Sequence, residues 1–310
     1  MSPPRIAVIG AGISGLAAAR LLTKNGMFCT VFEKSRGLGG RMATREIGGV
    51  TFDHGVQYLR RRGLSFSKFV DHCLEEGHIQ AWTDKYFVGV TRMTAPAHAL
   101  AEGLDVKFNY TVKSLARRSD GWRIDSEGGS SLGYNAILIA IPAPQTAVLL
   151  ETAAVSFDGI DKVKYNPCIT LMLAFENQTN FSEKFIRNRS GPISWISQNS
   201  SKPGREKMTQ TFVIHANPNW SSANLDAPTE KIKKDLSLLS TEIIRTQNIP
   251  MISIVHKWKY AFVSKQANSQ YFWNAQHKVG ACGDYCIGAS VESAFDSGEA
   301  LASEVINAFR

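Results

Sequence analysis

The sequence predicts an α/β protein in which a doubly wound parallel sheet is joined to a second region built on a mixed α+β sheet. A short apolar run, Arg5 to Ile9, leads into a glycine-rich turn and then a helical stretch. Similar buried strands recur at 28–32, 137–141 and 278–282. The middle of the chain instead alternates apolar and polar residues, as at 169–175 and 210–215, which indicates strands with one covered face.

The turn after the first strand carries the pattern G-x-G-x-x-G at Gly10, Gly12 and Gly15. These positions suit a tight turn, close approach of the backbone to a pyrophosphate, and close helix–strand packing. The helix N-terminus that follows supplies N–H donors for phosphates. Glu33 closes the next strand, where an acid accepts hydrogen bonds from adenosine ribose hydroxyls and disfavours a 2′-phosphate. The predicted dinucleotide contacts of this Rossmann-type segment are Gly10, Gly12, Ile13, Ser14, Gly15, Glu33 and Lys34.

A second glycine-rich segment, GLGGRMATR at 37–45, begins four residues after Glu33. Gly39 and Gly40 allow the chain to lie flat against a pyrophosphate, and Arg41 adds a cation for its charge. DHGVQYL follows at 53–59, with His54 near the same ligand. This pairing of segments resembles the FAD site of the amine-oxidase-like flavoproteins.

The C-terminus supplies a strand at 278–282, the pair Gly283-Asp284, and a helix from about Val291 to the end. The resemblance implies that Gly283 and Asp284 meet the ribityl chain. It also implies that Ser290 and Val291 present a helix N-terminus to the flavin pyrimidine, where the positive helix end stabilises negative charge. The alternative for Asp284 is an ordinary helix cap.

Several further segments resemble the bacterial renalase-like proteins along essentially the whole chain, namely IAIPAPQTAVLL (139–150), SWISQNSSKPGR (194–205), FVIHANPNWS (212–221), HKWKYA (256–261) and GDYCIGASVESAFDSGEALA (283–302). The resemblance implies a noncovalent FAD oxidase of isomeric dihydronicotinamide dinucleotides, the 2- or 6-dihydro forms of NAD(P). Hydride would pass to the flavin, and O2 would then be reduced to hydrogen peroxide with release of NAD(P)+. The segment 288–291 is less bulky and less basic than the family's usual one.

Because cofactor-binding pieces lie at both ends, we expect a discontinuous FAD-binding domain of residues 1–86, 95–150 and 280–310. Residues 87–94 and 151–279 would form the substrate domain. Within these we predict a helix at 95–104, an antiparallel sheet of 106–110, 113–116 and 121–125, and a helix at 226–245. The polar stretch 199–205 has the composition of a mobile loop.

The chemistry of hydride transfer is carried by the flavin, so the protein must chiefly stack the substrate ring and exclude water. His256 is a candidate hydrogen-bond donor to a carboxamide, or else a satisfied core histidine. Alternation places His256, Trp258 and Tyr260 on one strand face, although Trp258 also suits a core position. Further candidates for the substrate wall are Gln57, Tyr58, Trp195 and His215.

The composition limits the other possible partners. The formal charge is +8, which suits an anionic small substrate, and no nucleic-acid motif accompanies it. We expect no membrane partner and a cytoplasmic location, because the first residues do not resemble a leader and no run approaches roughly 18 apolar residues. The five scattered cysteines favour neither disulfides nor a metal site. The expected partners are a dinucleotide substrate and O2, in a monomer or homodimer.

Two other functions remain open at the sequence level. One is a flavin amine oxidase acting on a small amine or polyamine, whose cationic substrate would be less attracted to a basic protein. The other is a non-catalytic FAD-binding module, since Glu33, Arg41 and Asp284 indicate cofactor binding alone.

Overall fold

The computed structural model describes residues 2–188 and 190–310. The first part of the chain contains, in order, β1 (Arg5–Ile9), α1 (Ile13–Lys24), β2 (Phe28–Phe32), β3 (Arg45–Ile47), β4 (Val50–Phe52), α2 (Leu64–Glu75), β5 (Ile79–Ala81), β6 (Phe87–Gly89), α3 (Ala95–Ala101), β7 (Asp105–Lys107), β8 (Val112–Arg118), β9 (Gly121–Ser126), β10 (Gly129–Tyr134), β11 (Ala136–Ile139) and α4 (Ala143–Glu151). The second part contains β12 (Lys164–Phe175), β13 (Phe185–Arg187), β14 (Ile193–Gln198), β15 (Gln210–Ala216), α5 (Pro218–Asn224), α6 (Thr229–Ile244), β16 (Ile252–Lys265), β17 (Phe272–Asn274), β18 (Val279–Ala281), α7 (Asp284–Ile287) and α8 (Val291–Ala308).

The larger sheet has the strand order β17-β18-β11-β1-β2-β7, and all its neighbouring strands are parallel except the pair β17–β18. Carboxyl ends of parallel strands meet at one edge, and ligands of doubly wound sheets bind there. Gly10, Glu33 and Cys282 directly follow β1, β2 and β18, so they share that edge. This topology confirms the predicted fold class.

Each face of the larger sheet is covered because the residues of β1 alternate between two cores. Ile6 and Val8 pack with helices α1 and α8, whereas Ala7 and Ile9 pack under the three-stranded sheet β10-β9-β8 and α4. Helices α1 and α8 cross so closely that a Cβ on Gly298 would lie 2.1 Å from the Ser14 carbonyl oxygen. Only glycine permits this crossing.

The second sheet is antiparallel, with the order β13-β14-β15-β12-β16. On one face, Ile169 and Leu171 pack against Leu236 of α6. On the other face, Met172 packs against Phe52 of the β3–β4 hairpin. That hairpin leads directly into residues 53–58, and it therefore brings them onto the same face.

The small antiparallel sheet was predicted with the wrong first strand. Residues 105–107 pair in parallel with β2 at the edge of the larger sheet, and residues 129–134 supply the missing strand. A strand of three residues has too few alternating apolar and polar positions to identify the strand it pairs with. Its partner depends on how the rest of the chain folds. The predicted helix 226–245 begins at Thr229, after Pro228, and residues 218–224 form a separate helix.

Two other expectations for the second region are wrong. Residues 199–205 form a short helical turn and an inward-facing loop, in which Asn199, Lys202 and Arg205 are buried, rather than a mobile loop. Residues 272–274 join the larger sheet through β18, although the sequence placed them in the substrate region. Within residues 2–188 and 190–310, none of the helices has the length and apolar character needed to cross a membrane.

Candidate active site

The two glycine-rich segments lie side by side at the carboxyl edge of the larger sheet. Gly12 and Gly39 form an isolated parallel bridge, and the Gly39 N–H donates to the Ala11 carbonyl at 2.9 Å. Gly10 and Gly39 have φ values of +105° and +95°, which residues other than glycine rarely adopt. A Cβ on Gly15 would lie 2.1 Å from the Gly10 oxygen, whereas one on Gly12 would have no neighbour within 4 Å. The backbone at Gly12 therefore borders open space beside the start of α1.

Glu33 is buried at the end of β2. One carboxylate oxygen accepts from the Ala11 N–H at 2.8 Å, and the other accepts from the Ser35 N–H and hydroxyl. A carboxylate has about four acceptor positions, so Glu33 retains capacity for ribose hydroxyls. Beside it, Ile13 is a buried residue of α1, the Ser14 hydroxyl lies 3.2 Å from the Cys282 sulfur, and Lys34 is exposed.

Arg41 and Asp284, far apart in sequence, meet above the glycine segments. The guanidinium donates to both oxygens of the Asp284 carboxylate at 2.6 and 2.7 Å and to the Ala261 carbonyl at 3.2 Å. Burial disfavours its charge, but Asp284 outweighs burial and raises the pKa of Arg41. Asp284 is the first residue of α7 rather than a cap, since Gly283 holds that position.

The helix α8 begins at the same edge of the sheet. The Ser290 side chain caps it by accepting from the Ser293 N–H at 2.9 Å, and Val291 is its first residue. The Gly283 N–H donates to the hydroxyl of Ser297, which lies one turn after Ser293 in α8. The N-terminus of α8 and the Gly283-Asp284 turn are thereby held together.

Residues 53–58, which we call the crossing segment, lie between Arg41 and the face of the five-stranded sheet. The Val56 N–H donates to the Arg41 carbonyl at 2.9 Å. A Cβ on Gly55 would approach that same carbonyl to 1.9 Å and the Trp258 ring to 3.4 Å. The crossing segment is therefore in contact with both parts of the protein.

A buried ion cluster anchors the start of the crossing segment. One Asp53 oxygen accepts from Lys202 Nζ at 3.0 Å and from Arg205 at 2.7 Å, and all three side chains are at most 1% exposed. The other oxygen accepts from the Thr44 hydroxyl and the Met93 N–H. Burial would raise the pKa of Asp53, but the two cations lower it well below its usual range. Two cations against one anion leave the cluster net positive.

Gln57 links this cluster to the sheet. Its Oε1 accepts from the Ser197 hydroxyl at 2.7 Å and from Lys202 Nζ at 3.3 Å. Because an ammonium only donates, Oε1 must face Lys202, and Nε2 then faces the Gly55 carbonyl and His215 Nε2, 3.4 Å away. The orientation of the Gln57 amide is thus fixed by a buried charge.

The sheet face beneath the crossing segment carries a row of residues that lie directly opposite one another on neighbouring strands. This cross-sheet row consists of Arg187, Trp195, His215, Thr170 and His256. The crossing segment contacts it repeatedly, since the Thr170 hydroxyl donates to the His54 carbonyl at 3.1 Å and the Tyr58 ring lies 5.6 Å from Trp195. Trp195 Nε1 is buried without a hydrogen-bond partner among the described residues.

His54, His256 and Trp258 form an aromatic cluster at one end of the cross-sheet row. The His54 ring stacks on Trp258 at 5.2 Å and meets the His256 ring edge-on at 4.9 Å, and Trp258 Nε1 donates to the His54 carbonyl. Burial, together with the positive charge of Arg45 and the neighbouring His256, lowers the pKa of His54 to about 4. Burial likewise lowers the pKa of His215 to about 4 and lowers that of His256. The imidazoles are therefore uncharged at neutral pH.

Tyr260 does not join this cluster, although strand alternation predicted that it would. Asn166 pairs with Phe262 and Cys168 with Trp258, so residues 259–261 bulge opposite Pro167 alone. Proline has no N–H to continue the ladder, which favours a bulge at this position. The bulge turns Tyr260 toward Tyr165, with ring centroids 5.4 Å apart.

Sequence reasoning missed four polar contributors, Lys202, Arg205, Ser197 and Thr170. Lys202 and Arg205 belong to the segment SSKPGR, yet charged side chains are so seldom buried that composition favoured an exposed loop. The available signal for Thr170 was a hydroxyl within an otherwise apolar strand, Ile169 to Phe175.

The fold and site define a Rossmann-type flavoprotein, with two glycine segments, an acidic residue after β2, and a second sheet facing them. A family model for the NAD(P)-binding Rossmann-like domain matches residues 8–73. A model for the flavin-containing amine oxidoreductases matches residues 65–306. The chain belongs to the flavin-containing amine oxidoreductase family and is an FAD-dependent oxidoreductase.

Individual relatives agree with this family. Mouse renalase is 22% identical over 300 residues, which cover 86% of this chain and 87% of renalase. A solved protein of Exiguobacterium sp. 255-15, described as a proposed protoporphyrinogen oxidase, superposes with a TM-score of 0.78 at 12% identity over 99% of both chains. Putrescine oxidase bound to putrescine gives a TM-score of 0.72 at 13% identity, over 98% of this chain and 99% of that one.

The residues at the sheet edge fit FAD. The open space beside Gly12, the remaining acceptor position of Glu33 and the helix N-termini match a dinucleotide with a pyrophosphate. Burial raises the pKa of the Cys286 thiol to about 12, which leaves little thiolate to attack a flavin. In the described part of the chain, no group of three or more His, Cys, Asp or Glu residues is placed to hold a metal ion.

Proposed function

We propose that the protein is an FAD-dependent oxidase of isomeric dihydronicotinamide dinucleotides, the 2- or 6-dihydro forms of NAD(P). FAD, when bound, supplies a hydride acceptor that O2 can reoxidise. The roles assigned to the chain's own residues are to bind the substrate ring, orient it and exclude water. Similarity to mouse renalase over 86% of this chain supports this choice within the family.

The observation that carries the proposal is the charge of the wall formed by the cross-sheet row and the crossing segment. Its imidazoles are neutral, and Asp53, the carboxylate of the crossing segment, is buried and paired with two cations. Arg45 adds positive charge near His54 and His256. An ammonium substrate would meet net positive charge here, whereas an uncharged dihydropyridine ring would not.

The same wall suits a carboxamide on an apolar ring. Trp195 Nε1 is a buried donor without a partner among the described residues, and an imidazole offers one donor and one acceptor. Trp258 and the His54 ring provide flat surfaces against which a dihydropyridine can be held. We propose His54, His256, Trp258, Gln57, Tyr58 and Trp195 as substrate contacts. For FAD we propose Gly10, Gly12, Gly15, Glu33, Gly39, Gly40, Arg41, Gly283, Asp284, Ser290 and Val291.

The competing function is oxidation of an amine, which the family name and the similarity to putrescine oxidase favour. Anaerobic bleaching of the flavin distinguishes the two. Borohydride-reduced NAD+, which contains the 2-, 4- and 6-dihydro isomers, should bleach the holoenzyme, whereas pure 4-dihydro NADH and a panel of amines should not. Admitting air should restore the colour and release hydrogen peroxide. Bleaching by an amine and not by the isomer mixture would refute the proposal.

A further inference from the structure

The cross-sheet row ends at the protein surface in a stack of arginine and tyrosine side chains. It crosses four strand spacings from His256 on β16 to Arg187 on edge strand β13, roughly 19 Å at about 4.8 Å per strand. His215 and Thr170 in the middle of the row are buried, His256 at one end is half-buried, and Arg187 at the other end is exposed. The row thus leads from a neutral interior to a cationic edge.

Two tyrosine rings stack on each other, and an arginine lies beside each ring. Tyr58 and Tyr86 lie face to face, with centroids 3.9 Å apart and planes at 28°. The Arg187 guanidinium lies 6.0 Å from the Tyr58 ring and 5.5 Å from Trp195, and it donates to the Tyr58 hydroxyl. The Arg60 guanidinium lies 5.8 Å from the Tyr86 ring. We call Arg60, Tyr86, Tyr58 and Arg187 the arginine–tyrosine stack.

The two arginines of the stack lack acidic partners. Among the described residues, no carboxylate lies within 4.0 Å of Arg60 or Arg187, whereas neighbouring Arg61 is paired with Asp71. Both are exposed, and the two tyrosines are half-buried. Guanidinium groups held in place by aromatic rings keep a planar set of donors, which matches the oxygens of a phosphate.

We propose that the arginine–tyrosine stack binds the phosphate-bearing nucleotide half of the substrate. This rests on the proposed function, which places the nicotinamide ring at His54 and Trp258 and its carboxamide near Trp195. Arg187 lies directly opposite Trp195 on the neighbouring strand, one strand spacing or about 5 Å along the row. The phosphates are bound by the guanidinium groups of Arg187 and Arg60.

The test compares the double variant R60Q/R187Q with wild type and with R117Q. Arg117 is a matched control, because it is also exposed and lies 5.5 Å from an aromatic ring, that of Trp122, in the three-stranded sheet. With the 6-dihydro isomer of NAD, the double variant should raise KM about tenfold, as expected for loss of charge-assisted contacts worth about 1.4 kcal/mol, with kcat nearly unchanged. With the 6-dihydro isomer of nicotinamide riboside, which has no phosphate, KM should not respond. An unchanged KM for the dinucleotide, or equal increases for both compounds, would overturn the assignment.

A binding measurement separates this proposal from the proposed function. ADP-ribose carries the phosphates and purine without a nicotinamide, and its affinity for the holoenzyme can be measured by calorimetry. We expect wild type and R117Q to bind it and R60Q/R187Q to bind about tenfold more weakly, even if no dihydronicotinamide bleaches the flavin. If wild type does not bind ADP-ribose, the stack is not a nucleotide site, whatever the substrate is.

Discussion

At the scale of single residues, the glycines of the first segment and of α8 fall into two physical classes. Gly15 and Gly298 are required by the protein itself, because a Cβ at either would lie 2.1 Å from a carbonyl oxygen. Gly12 has an ordinary φ of −75°, and a Cβ there would contact nothing within 4 Å. We therefore attribute the glycine at position 12 to the ligand rather than to the fold.

Gly12→Ala should accordingly leave the apoprotein folded while weakening FAD binding. Alanine at the N-cap of α1 costs about 0.5–1 kcal/mol relative to glycine, which the folded protein can tolerate. The added methyl group would occupy space next to the pyrophosphate, and such overpacking costs about 1–3 kcal/mol, or at least about fivefold in affinity. Flavin fluorescence titration of the apoprotein measures the effect. Gly128→Ala, on a surface turn with similarly open surroundings, is the control and should bind FAD normally.

Single residues were predictable from sequence wherever a local motif determines their position. The glycines, Glu33 and the carboxyl ends of the strands belong to such motifs. The pairing of Arg41 with Asp284 was not predictable, because it joins residues 243 positions apart whose side chains meet only when β18 is placed beside β11. Nor does the sequence reveal the cross-sheet row, which depends on the register of five strands.

At the scale of elements, burial of the 199–205 loop is the main departure from expectation. Composition indicated an exposed loop, but Asp53 on the crossing segment supplies a partner that lets Lys202 and Arg205 enter the interior. A charged side chain is buried only when it is paired, and the pairing residue here is about 150 positions away. The sequence shows the charges but not which of them meet.

Asp53→Asn should therefore destabilise the protein strongly. It would leave two buried cations without an anion, and removing one partner of a buried ion pair costs about 3–5 kcal/mol. Denaturant unfolding of the holoprotein measures the loss. Asp71→Asn removes the partner of Arg61 in an exposed pair and should cost less than about 1 kcal/mol. Equal, small losses in both variants would show that the ion cluster does not hold the crossing segment in place.

At the scale of the whole molecule, the neutral histidines couple stability to pH. The pKa of His215 is lowered to about 4 in the folded state by burial, against about 6.5 in the unfolded chain. Above pH 6.5 the imidazole is neutral in both states and the stability is fully present. As the pH falls from 6.5 toward 4, the unfolded chain binds a proton that the folded protein does not, so the free energy of unfolding decreases, by about 3 kcal/mol for this group.

The holoprotein should thus lose stability steadily between pH 6.5 and 4, and His215→Asn should lose less over the same interval. Asp53 does not account for this slope, because a carboxyl with a lowered pKa affects stability only as the pH falls below its ordinary value near 4. Urea unfolding at half-unit steps of pH measures the slopes, and each protein's own value at pH 7.5 serves as its reference. His215→Asn also loses its contact with Gln57, so its absolute stability is lower throughout and only the slope is diagnostic. Identical slopes in the two proteins would mean that His215 is protonated in the folded state, and the neutral wall proposed for the substrate would then be wrong.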